Sequence, residues 1–580
     1  MRNSRVILSL GLLAGLFFVA MEGQAGAKKP REPQQEESAA VRAVVDRIIA
    51  RENTLAQTLQ NYRPRVETYL QEVRPDPDWG VVPDNDRYFL GQLTFDKGVR
   101  AHSYLSKPQF GLLSRVFGHF SFVTRPFKYE FEIDSFAQAA LVDYKGLDRK
   151  HYRFQFVRSA FLGDLRCLLF DVSPRRHAGS GRFKGRIWVE DQDYTIVRFK
   201  GIRTRPPKFH FYIHFDSWRQ NLQPGLWLPV YVYAEESDLN PPTLLNFTSG
   251  PVALRSQTRF WGYDLSNSAR EEELARILVD APVPVRDSSE TAGDLSPLAS
   301  TRRWEDEAEA NVLERLEKAR LIAPPGEVDK VLETVVNNLV VTNHLDNLPP
   351  IHCRVMLTLP FESFTVGHTI VISRGLIDVL PDEAALATML AHELAHVVLG
   401  HATDTKYAFT DRLMMSDDEL LESLDFARDP QEESAADAKA IELLSNSPYK
   451  DNLRNAALFL RAMAQDVPGL HSLFGAHLGN RLATGDHVLR MAEMLGHAPQ
   501  LQPNRLDQIA ALPLGSRLKV DAWSGRVELM KSQPVAPVSA REKMPFLVTP
   551  LFPSTSRQQS AKSHPGNPPK TTAGITPARD

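Results

Sequence analysis

The residues with the clearest chemical potential are two histidines, His392 and His396, and the glutamate after the first of them, Glu393. In a helix, a spacing of four residues places both imidazoles on one face, where they can converge on a metal ion. The surrounding apolar residues recur with helical spacing, and Asp382 precedes them at the position of a helix N-cap. The sequence therefore predicts a largely buried helix that carries a zinc-binding His-Glu-x-x-His sequence.

A catalytic zinc ion takes three protein ligands and leaves its fourth position to water, so this site needs a third ligand. Asp429 and Pro430 are typical of the N-cap and first residue of a second helix. Glu433 falls in its first turn, and Asp437 lies one turn later on the same face. We expect Glu433 to join the two histidines as a ligand of one zinc ion per chain, with Asp437 accepting an N–H from a ligand imidazole.

These segments resemble metallopeptidase family forty-eight, the zinc endopeptidases typified by the CAAX prenyl protease, HtpX and BepA. The resemblance covers about residues 310–500 and is carried by the His-Glu-x-x-His sequence with Gly400-His401 after it, by Glu433-x-x-Ala436-Asp437, and by a strand from Thr369 to Ser373 that runs into Arg374-Gly375-Leu376. It implies a mainly helical zincin domain of the gluzincin type with a small edge sheet. It also implies that the strand Thr369 to Ser373 lies at a sheet edge, where an extended substrate can add as another strand.

Both the resemblance and the residue chemistry indicate hydrolysis of a peptide bond. Zinc lowers the pKa of its bound water, and Glu393 would take the proton as that water attacks the peptide carbonyl. Glu393 would then deliver the proton to the leaving amine. The predicted role of Glu393 is therefore that of the general base.

The chain departs from the family pattern in two places. Glu362-Ser363-Phe364 and Val366-Gly367-His368 stand where the family usually has Asn-Ala-Phe and Pro-Gly-Gly, and a later His-Pro-x-x-x-x-Arg motif is reduced to Thr484-Gly485 followed by Arg490. In the family, the histidine of that motif assists at the transition state or covers the metal, so His471, His477 and His487 are its candidate substitutes. Arg490 is a candidate for binding substrate or supporting the site, with a surface salt bridge as the alternative. His401 could support a ligand, contact substrate or simply end the helix.

Composition and the N-terminal residues limit the classes of function. A chain of 580 residues should hold two or three domains, and a net charge of −3 gives no basic field for nucleic acid. Arg2 and Arg5 precede an apolar run and Ala25-Gly26-Ala27, which predicts a signal peptide over residues 1–27 and export, as to a periplasm. An uncleaved membrane anchor is the alternative. A lipoprotein anchor is not expected, because no cysteine follows the apolar run, and no further transmembrane helix is expected.

The predicted fold class is α+β, with an N-terminal antiparallel curved sheet ahead of the helical peptidase domain. A flexible leader over 28–40 precedes a strand-rich domain over 41–280 that begins with an amphipathic helix and resembles LolA/LolB-type lipoprotein carriers. The predicted strands include residues 88–95, 127–133, 152–157, 166–172, 186–189, 195–199, 210–215 and 227–234. The resemblance implies a concave apolar face that could hold an acyl chain or an unfolded segment, whereas plain core packing is the alternative for its aromatic residues.

A Pro- and Ser-rich linker over 281–302 separates this domain from a zinc metallopeptidase domain over 303–500. Helices are predicted there over 303–321, 327–339, 455–464 and 488–495. Residues 404–429 form either a capped surface helix or a mobile flap over the cleft. A C-terminal extension over 501–553 contains a plausible hairpin, and residues 554–580 form a predicted disordered tail.

The sequence thus supports an exported zinc metalloendopeptidase that acts on polypeptides, such as misfolded envelope proteins. Lipid or lipoprotein contact through the N-terminal domain is a further hypothesis. The alternative function is that of a chaperone or a lipid- or polypeptide-binding protein whose zinc site is latent or structural. The complete ligand set favours the enzyme, while the missing family histidine keeps the alternative open.

Overall fold

The computed structural model describes residues 38–95, 98–105, 133–204, 213–236, 253–264, 297–403, 407, 417–475, most of 477–530, and 539, 546, 548 and 555–558. Several predicted segments lie outside these ranges. They are the signal peptide, nearly all of the leader, residues 281–296 of the linker, residues 404–406 and 408–416 of the segment predicted as a surface helix or a flap, and all but four residues of the tail. None of the described helices has both the length and the hydropathy that crossing a membrane requires.

The chain separates into two compact units, residues 1–45 and 46–580. In the first unit the structure describes residues 38–45, where helix α1 (Ala39–Thr58) begins. The second unit contains all of the strands that the structure describes.

Ten antiparallel strands form one sheet in the N-terminal half of the second unit, in the order β3-β2-β1-β10-β9-β8-β7-β6-β5-β4. The strands are β1 (Arg65–Asp76), β2 (Gly80–Thr94), β3 (Arg100–Ser103), β4 (Tyr152–Leu162), β5 (Leu165–Pro174), β6 (Phe183–Glu190), β7 (Ile196–Arg203), β8 (Ile213–Gln223), β9 (Leu226–Glu236) and β10 (Ala253–Trp261), with a short helix α2 (Ile133–Gln138) before β4. Residues 127–132 and 210–212 of the predicted strands lie outside the described residues, and Ile133 begins α2 rather than ending a strand. The remaining predicted strands overlap β2, β4–β7 and β9.

The C-terminal half is mainly helical, which confirms the α+β class. Its helices are α3 (Pro297–Lys318), α4 (Glu327–Thr342), α5 (Arg374–Val379), α6 (Glu383–Val398), α7 (Asp417–Ser423), α8 (Pro430–Ser445), α9 (Leu453–Asp466), α10 (His471–Phe474), α11 (Ala492–Leu495) and α12 (Leu506–Ile509). Three strands, β11 (His352–Met356), β12 (Ser363–Val366) and β13 (Thr369–Ser373), form a small sheet. Two strand pairs follow, β14 (Ala483–Thr484) with β15 (His487–Val488), and β16 (Leu518–Val520) with β17 (Val527–Leu529).

The strand expected at a sheet edge is instead the central strand of the small sheet. The order is β11-β13-β12, with β11 parallel and β12 antiparallel to β13. The turn between β12 and β13 places Gly367 at φ +57°, a conformation that favours glycine, so β12 folds back along β13 and covers its edge. Among the described strands, β12 therefore provides the edge next to α6.

The predicted helix over 488–495 is wrong in its first half. Val488 belongs to β15 and pairs with Ala483, and only Ala492–Leu495 is helical. Met491 lies between them at φ +56°, in the left-handed region, so a right-handed helix cannot run through it.

Buried polar contacts tie the large sheet to the helical half. The Glu67 carboxylate on β1 accepts hydrogen bonds from Tyr88 Oη (2.8 Å), Leu359 N (2.6 Å) and Arg374 Nη2 (2.8 Å). Asp86 on β2 accepts the backbone N–H of Leu473 at 2.8 Å. Because a buried charge is costly unless it is paired, these contacts restrict how the two halves can pack.

Aromatic residues of the sheet share one buried cluster with the helical half. Tyr69, Trp218, Tyr231 and Trp261 are each at most 4% exposed and belong to the same apolar cluster as residues of α4, α6 and the small sheet. These aromatic side chains are therefore core residues, as in the plainer of the two interpretations.

We predict that Arg374→Met lowers the free energy of unfolding by about 3 kcal/mol, because it leaves the Glu67 carboxylate buried without its guanidinium partner. Urea denaturation of the full chain measures this change. The matched control is Arg186→Met, which removes a pair with Asp171 whose side chains are 39% and 47% exposed, and it should cost less than about 1 kcal/mol. Equal losses in the two variants would contradict the account.

Candidate metal centre

Helix α6 holds the two histidines in the position that their spacing predicts. The Asp382 side chain caps the helix by accepting Ala385 N–H at 2.8 Å. His392 and His396 lie one turn apart, with ring centroids separated by 4.9 Å, and are 0% and 2% exposed. Their Nε2 atoms are 3.2 Å apart, so both rings present the same nitrogen to one point.

Helix α8 brings a carboxylate to the same point. Asp429 is its N-cap and Pro430 its first residue, which places Glu433 in the first turn. The Glu433 carboxylate oxygens lie 3.4 Å from His392 Nε2 and 3.1 Å from His396 Nε2. The three residues form the group that could hold a metal ion, with ligand atoms all within 4.8 Å of one another.

The donor set fits zinc. Four ligands at about 2.0–2.1 Å in a tetrahedron are separated from one another by about 3.3 Å. The two Nε2 atoms are 3.2 Å apart, Glu433 Oε1 lies 3.1 Å from His396 Nε2, and Glu433 Oε2 lies 3.4 Å from His392 Nε2, so the carboxylate faces the point between the two rings. Two imidazoles and a carboxylate leave the fourth tetrahedral position for water, as a hydrolytic site requires.

Each imidazole is oriented through its second nitrogen. His392 Nδ1 lies 2.8 Å from Asp437 Oδ1, and His396 Nδ1 lies 2.8 Å from His401 Nδ1. A ring that binds metal through Nε2 carries its proton on Nδ1, so His392 donates to the Asp437 carboxylate and His396 donates to His401. Asp437 and His401 therefore contact the predicted ligands and fix their rings.

The charges at the site favour an ionised carboxylate at Glu433. Burial raises the pKa of the Glu433 carboxyl, but hydrogen bonds from the two histidines and the charge of Arg490 outweigh it, so its pKa lies well below the ordinary value. For His392, burial lowers the pKa, and hydrogen bonds to Asp437 and Glu433 reverse this and raise it. The ionised Glu433 carboxylate favours a cation at this point, and a metal ion bound there would displace the proton from His392 Nε2.

Both oxygens of the Glu393 side chain have partners. Oε1 accepts from Ser363 Oγ and from Arg490 Nη1, each at 2.8 Å, and Oε2 accepts from Thr365 Oγ1 at 2.8 Å. Burial raises the pKa of the Glu393 carboxyl, but the positive charges of Arg490 and the neighbouring histidines prevail and lower it. Glu393 is therefore held as a carboxylate beside the metal-ligand cluster.

The structure brings all seven predicted site residues together: His392, Glu393, His396, His401, Glu433, Asp437 and Arg490. The candidate substitutes for the missing histidine are not part of the metal-ligand cluster that the described residues form. The His477 ring stacks on Tyr88 at 5.3 Å, His471 begins α10, and the side chain of His487 lies outside what the structure describes. Sequence reasoning missed Ser363 and Thr365 as partners of Glu393, although hydroxyls at alternate positions of a strand could have indicated them.

Part of the helical half is similar to a known peptidase family. Residues 330–416 match peptidase family M48. The match includes His392, Glu393 and His396 but ends before Glu433, and it supports a metallopeptidase in general terms. It covers a small part of the chain. No curated protein sequence matches the chain.

Solved structures resemble the chain over a larger share at low similarity. A LolA superfamily protein from Nitrosomonas europaea matches 36% of this chain and 90% of its own, with 10% identity and a TM-score of 0.20. A DUF1329 family protein from Desulfovibrio piger matches 41% of this chain and 98% of its own, with 10% identity and a TM-score of 0.21. TM-scores of this size do not establish a function.

We predict that Asp437→Asn weakens zinc binding by about 10- to 100-fold, because an amide orients and polarises the His392 ring less well than a carboxylate does. Competition with a chromophoric chelator measures the affinity. Glu442→Gln on the same helix, an exposed carboxylate paired with Lys439, is the matched control and should leave the affinity unchanged. An unchanged affinity in Asp437→Asn would show that Asp437 does not act on the metal.

A second carboxyl next to the site should make stability pH-dependent. Glu362 is 1% exposed, and burial raises its pKa to about 7, although its carboxylate accepts N–H groups of His477 and Leu478. Since the folded chain holds this proton more tightly than the unfolded chain does, the group stabilises the fold at low pH, and that stability is lost as the pH rises through about 7.

Between about pH 5 and pH 8, the wild type should therefore lose about 2 kcal/mol more unfolding free energy than Glu362→Gln, which cannot titrate. Urea denaturation of both chains at several pH values gives the difference. Parallel pH profiles for the two chains would exclude this role for Glu362.

Proposed function

We propose that the chain is a zinc-dependent endopeptidase with His392, His396 and Glu433 as metal ligands and Glu393 as general base. The observation that carries the proposal is the convergence of two imidazoles and a carboxylate on one point, beside the buried carboxylate of Glu393. The match of residues 330–416 to a peptidase family supports the same reaction class.

Zinc at this site would activate its bound water and polarise the scissile carbonyl. Glu393 lies on α6 next to His392, so its carboxylate can reach a proton on a water at the open position. It would hold that proton and pass it to the leaving amine. With the rings bound to metal through Nε2, Asp437 and His401 would each accept the Nδ1 proton of one imidazole and keep that ring oriented.

The proposed substrate class is an extended polypeptide. The small sheet has β12 at the edge next to α6, and α6 carries Glu393. A substrate strand that pairs with β12 would hold its backbone close to the metal site, as in β-strand addition. We further propose that the chain is exported and acts on misfolded envelope proteins, which rests on the predicted signal peptide and the family resemblance.

A polypeptide-binding protein with a latent zinc site is the second candidate. The observation in its favour is that both oxygens of Glu393 are already hydrogen-bonded.

Lipid binding by the large sheet would need an apolar face other than the buried aromatic residues shared with the helical half. Exposed apolar side chains on β4, such as Phe156 and Phe161 at 42% and 74%, are the candidates for such contact.

The proposal predicts that the purified chain binds one zinc ion and cleaves an unfolded protein such as casein. Glu393→Gln should retain zinc and lose cleavage by at least about 100-fold, since proton transfer is removed while the ligands remain. His396→Ala should lose both. His352→Ala, which changes a histidine whose side chain is 63% exposed, is the matched control and should change neither.

Zinc binding without cleavage by the wild type would favour the latent-site alternative. Failure to bind zinc would refute the proposal.

A further inference from the structure

On the side of β12 that faces away from β13, one backbone carbonyl already accepts a hydrogen bond from a side chain. Val366 and Thr369 close a two-residue turn, and the pairing continues through Phe364 with Val371. Pairs in an antiparallel ladder alternate between hydrogen-bonded and non-hydrogen-bonded, starting from the hydrogen-bonded pair that closes the turn. The N–H and C=O groups of Ser363 and Thr365 therefore point away from β13, towards the position of an added strand.

The same two residues also hold Glu393. Ser363 and Thr365 are two apart, so their side chains share a face, and both hydroxyls donate to the Glu393 carboxylate at 2.8 Å. Ser363 is 0% and Thr365 3% exposed. The edge that would take the substrate backbone is thus directly connected to the general base.

Arg490 joins these two features. Its Nη2 donates to the Ser363 backbone oxygen at 2.9 Å, and its Nη1 donates to Glu393 Oε1 at 2.8 Å and to Ser363 Oγ at 2.5 Å. The residue is 2% exposed, and its Nε lies 3.8 Å from Glu433 Oε2. The planar guanidinium of Arg490 is therefore hydrogen-bonded both to an outward-facing carbonyl of β12 and to one carboxylate oxygen of Glu393.

We propose that Arg490 couples substrate binding to the release of Glu393. We call this role a gate, because Arg490 holds the Glu393 carboxylate until a substrate displaces the guanidinium. This inference rests on the proposed function and deepens it. Ser363 is fully buried with Nη2 against its carbonyl oxygen, so a substrate N–H reaches that oxygen by displacing Nη2. Because the guanidinium is rigid, Nη1 then moves away from Glu393 at the same time. The base is then released only when an extended polypeptide lies on β12, which restricts hydrolysis to unfolded chains.

Binding to the zinc-free chain tests the gate without any catalysis. The probe is a fluorescently labelled, reduced and carboxymethylated lactalbumin, which is unfolded, and the readout is its fluorescence anisotropy with the full chain in a chelator. Arg490→Met should bind the probe about tenfold more tightly than the wild type, because a charge-assisted hydrogen bond no longer competes for the Ser363 carbonyl. Equal or weaker binding by the folded variant would overturn the gate.

A matched control and a conservative variant accompany this binding test. Arg461 donates to the Leu495 backbone oxygen in the segment that follows Arg490, and Arg461→Met should bind the probe as the wild type does. Arg490→Lys keeps a positive charge near Glu393 but cannot contact both partners through one rigid fork, so it should also bind more tightly. Thermal melts followed by circular dichroism show whether each variant folds. If Arg490→Met does not fold, the probe affinity of Arg490→Lys decides whether Arg490 acts as a gate.

Cleavage by the zinc-loaded chains separates the gate from other roles. The gate predicts a lower KM for casein in Arg490→Lys, in parallel with its tighter binding of the probe. A fall in kcat with unchanged probe binding would assign Arg490 to the chemical step and overturn the gate. If the wild type neither holds zinc nor cleaves, the proposed function fails, while tighter probe binding by the variants would still assign Arg490 to the strand edge.

Discussion

Two imidazoles and a carboxylate meet within 3.1–3.4 Å of one another in the interior of this chain, and the surrounding structure depends on keeping them there. The groups come from two helices that are separated by a long connection, so neither helix can form the site alone. Their charges also require compensation, since two carboxylates, Glu393 and Glu433, lie beside the same pair of histidines. Arg490 and the hydroxyls of β12 supply that compensation in the structure described here.

The large sheet contributes to this site indirectly. Glu67 on β1 accepts hydrogen bonds from Arg374 and from the backbone of Leu359, on either side of β12 and β13. Asp86 holds the start of α10, whose Leu473 carbonyl accepts the N–H of Phe361 just before β12. The position of the small sheet relative to α6 therefore depends on buried polar contacts with the N-terminal half. This arrangement makes the large sheet a structural support for the helical half and the metal-ligand cluster within it.

Local signals made part of this structure predictable. The Asp382 and Asp429 caps and the helical spacing of apolar residues gave the two helices that carry the histidines and Glu433, because caps and periodicity act within a few residues. The α+β class followed from serial strands ahead of serial helices. The order of the small sheet did not follow, because a turn at Gly367 decides which strand covers the edge of β13.

The local sequence patterns could not predict contacts between segments that are distant along the chain. Arg490 and Ser363 are 127 residues apart, and Glu67 and Arg374 are 307 apart, so no local periodicity relates them. The break in the predicted helix at Met491 has a similar origin, since a non-glycine residue in the left-handed region is held there by its surroundings.

Zinc K-edge X-ray absorption of the purified full chain tests the central claim most directly, because it reports on the ligands themselves. The account predicts one zinc ion with a shell of nitrogen and oxygen donors at about 2.0–2.1 Å and the outer-shell scattering of two imidazoles. In Glu433→Gln, the metal should be held more weakly while the imidazole scattering of any retained zinc persists. A chain that retains no zinc, or a sulfur shell at about 2.3 Å, would contradict the site formed by His392, His396 and Glu433.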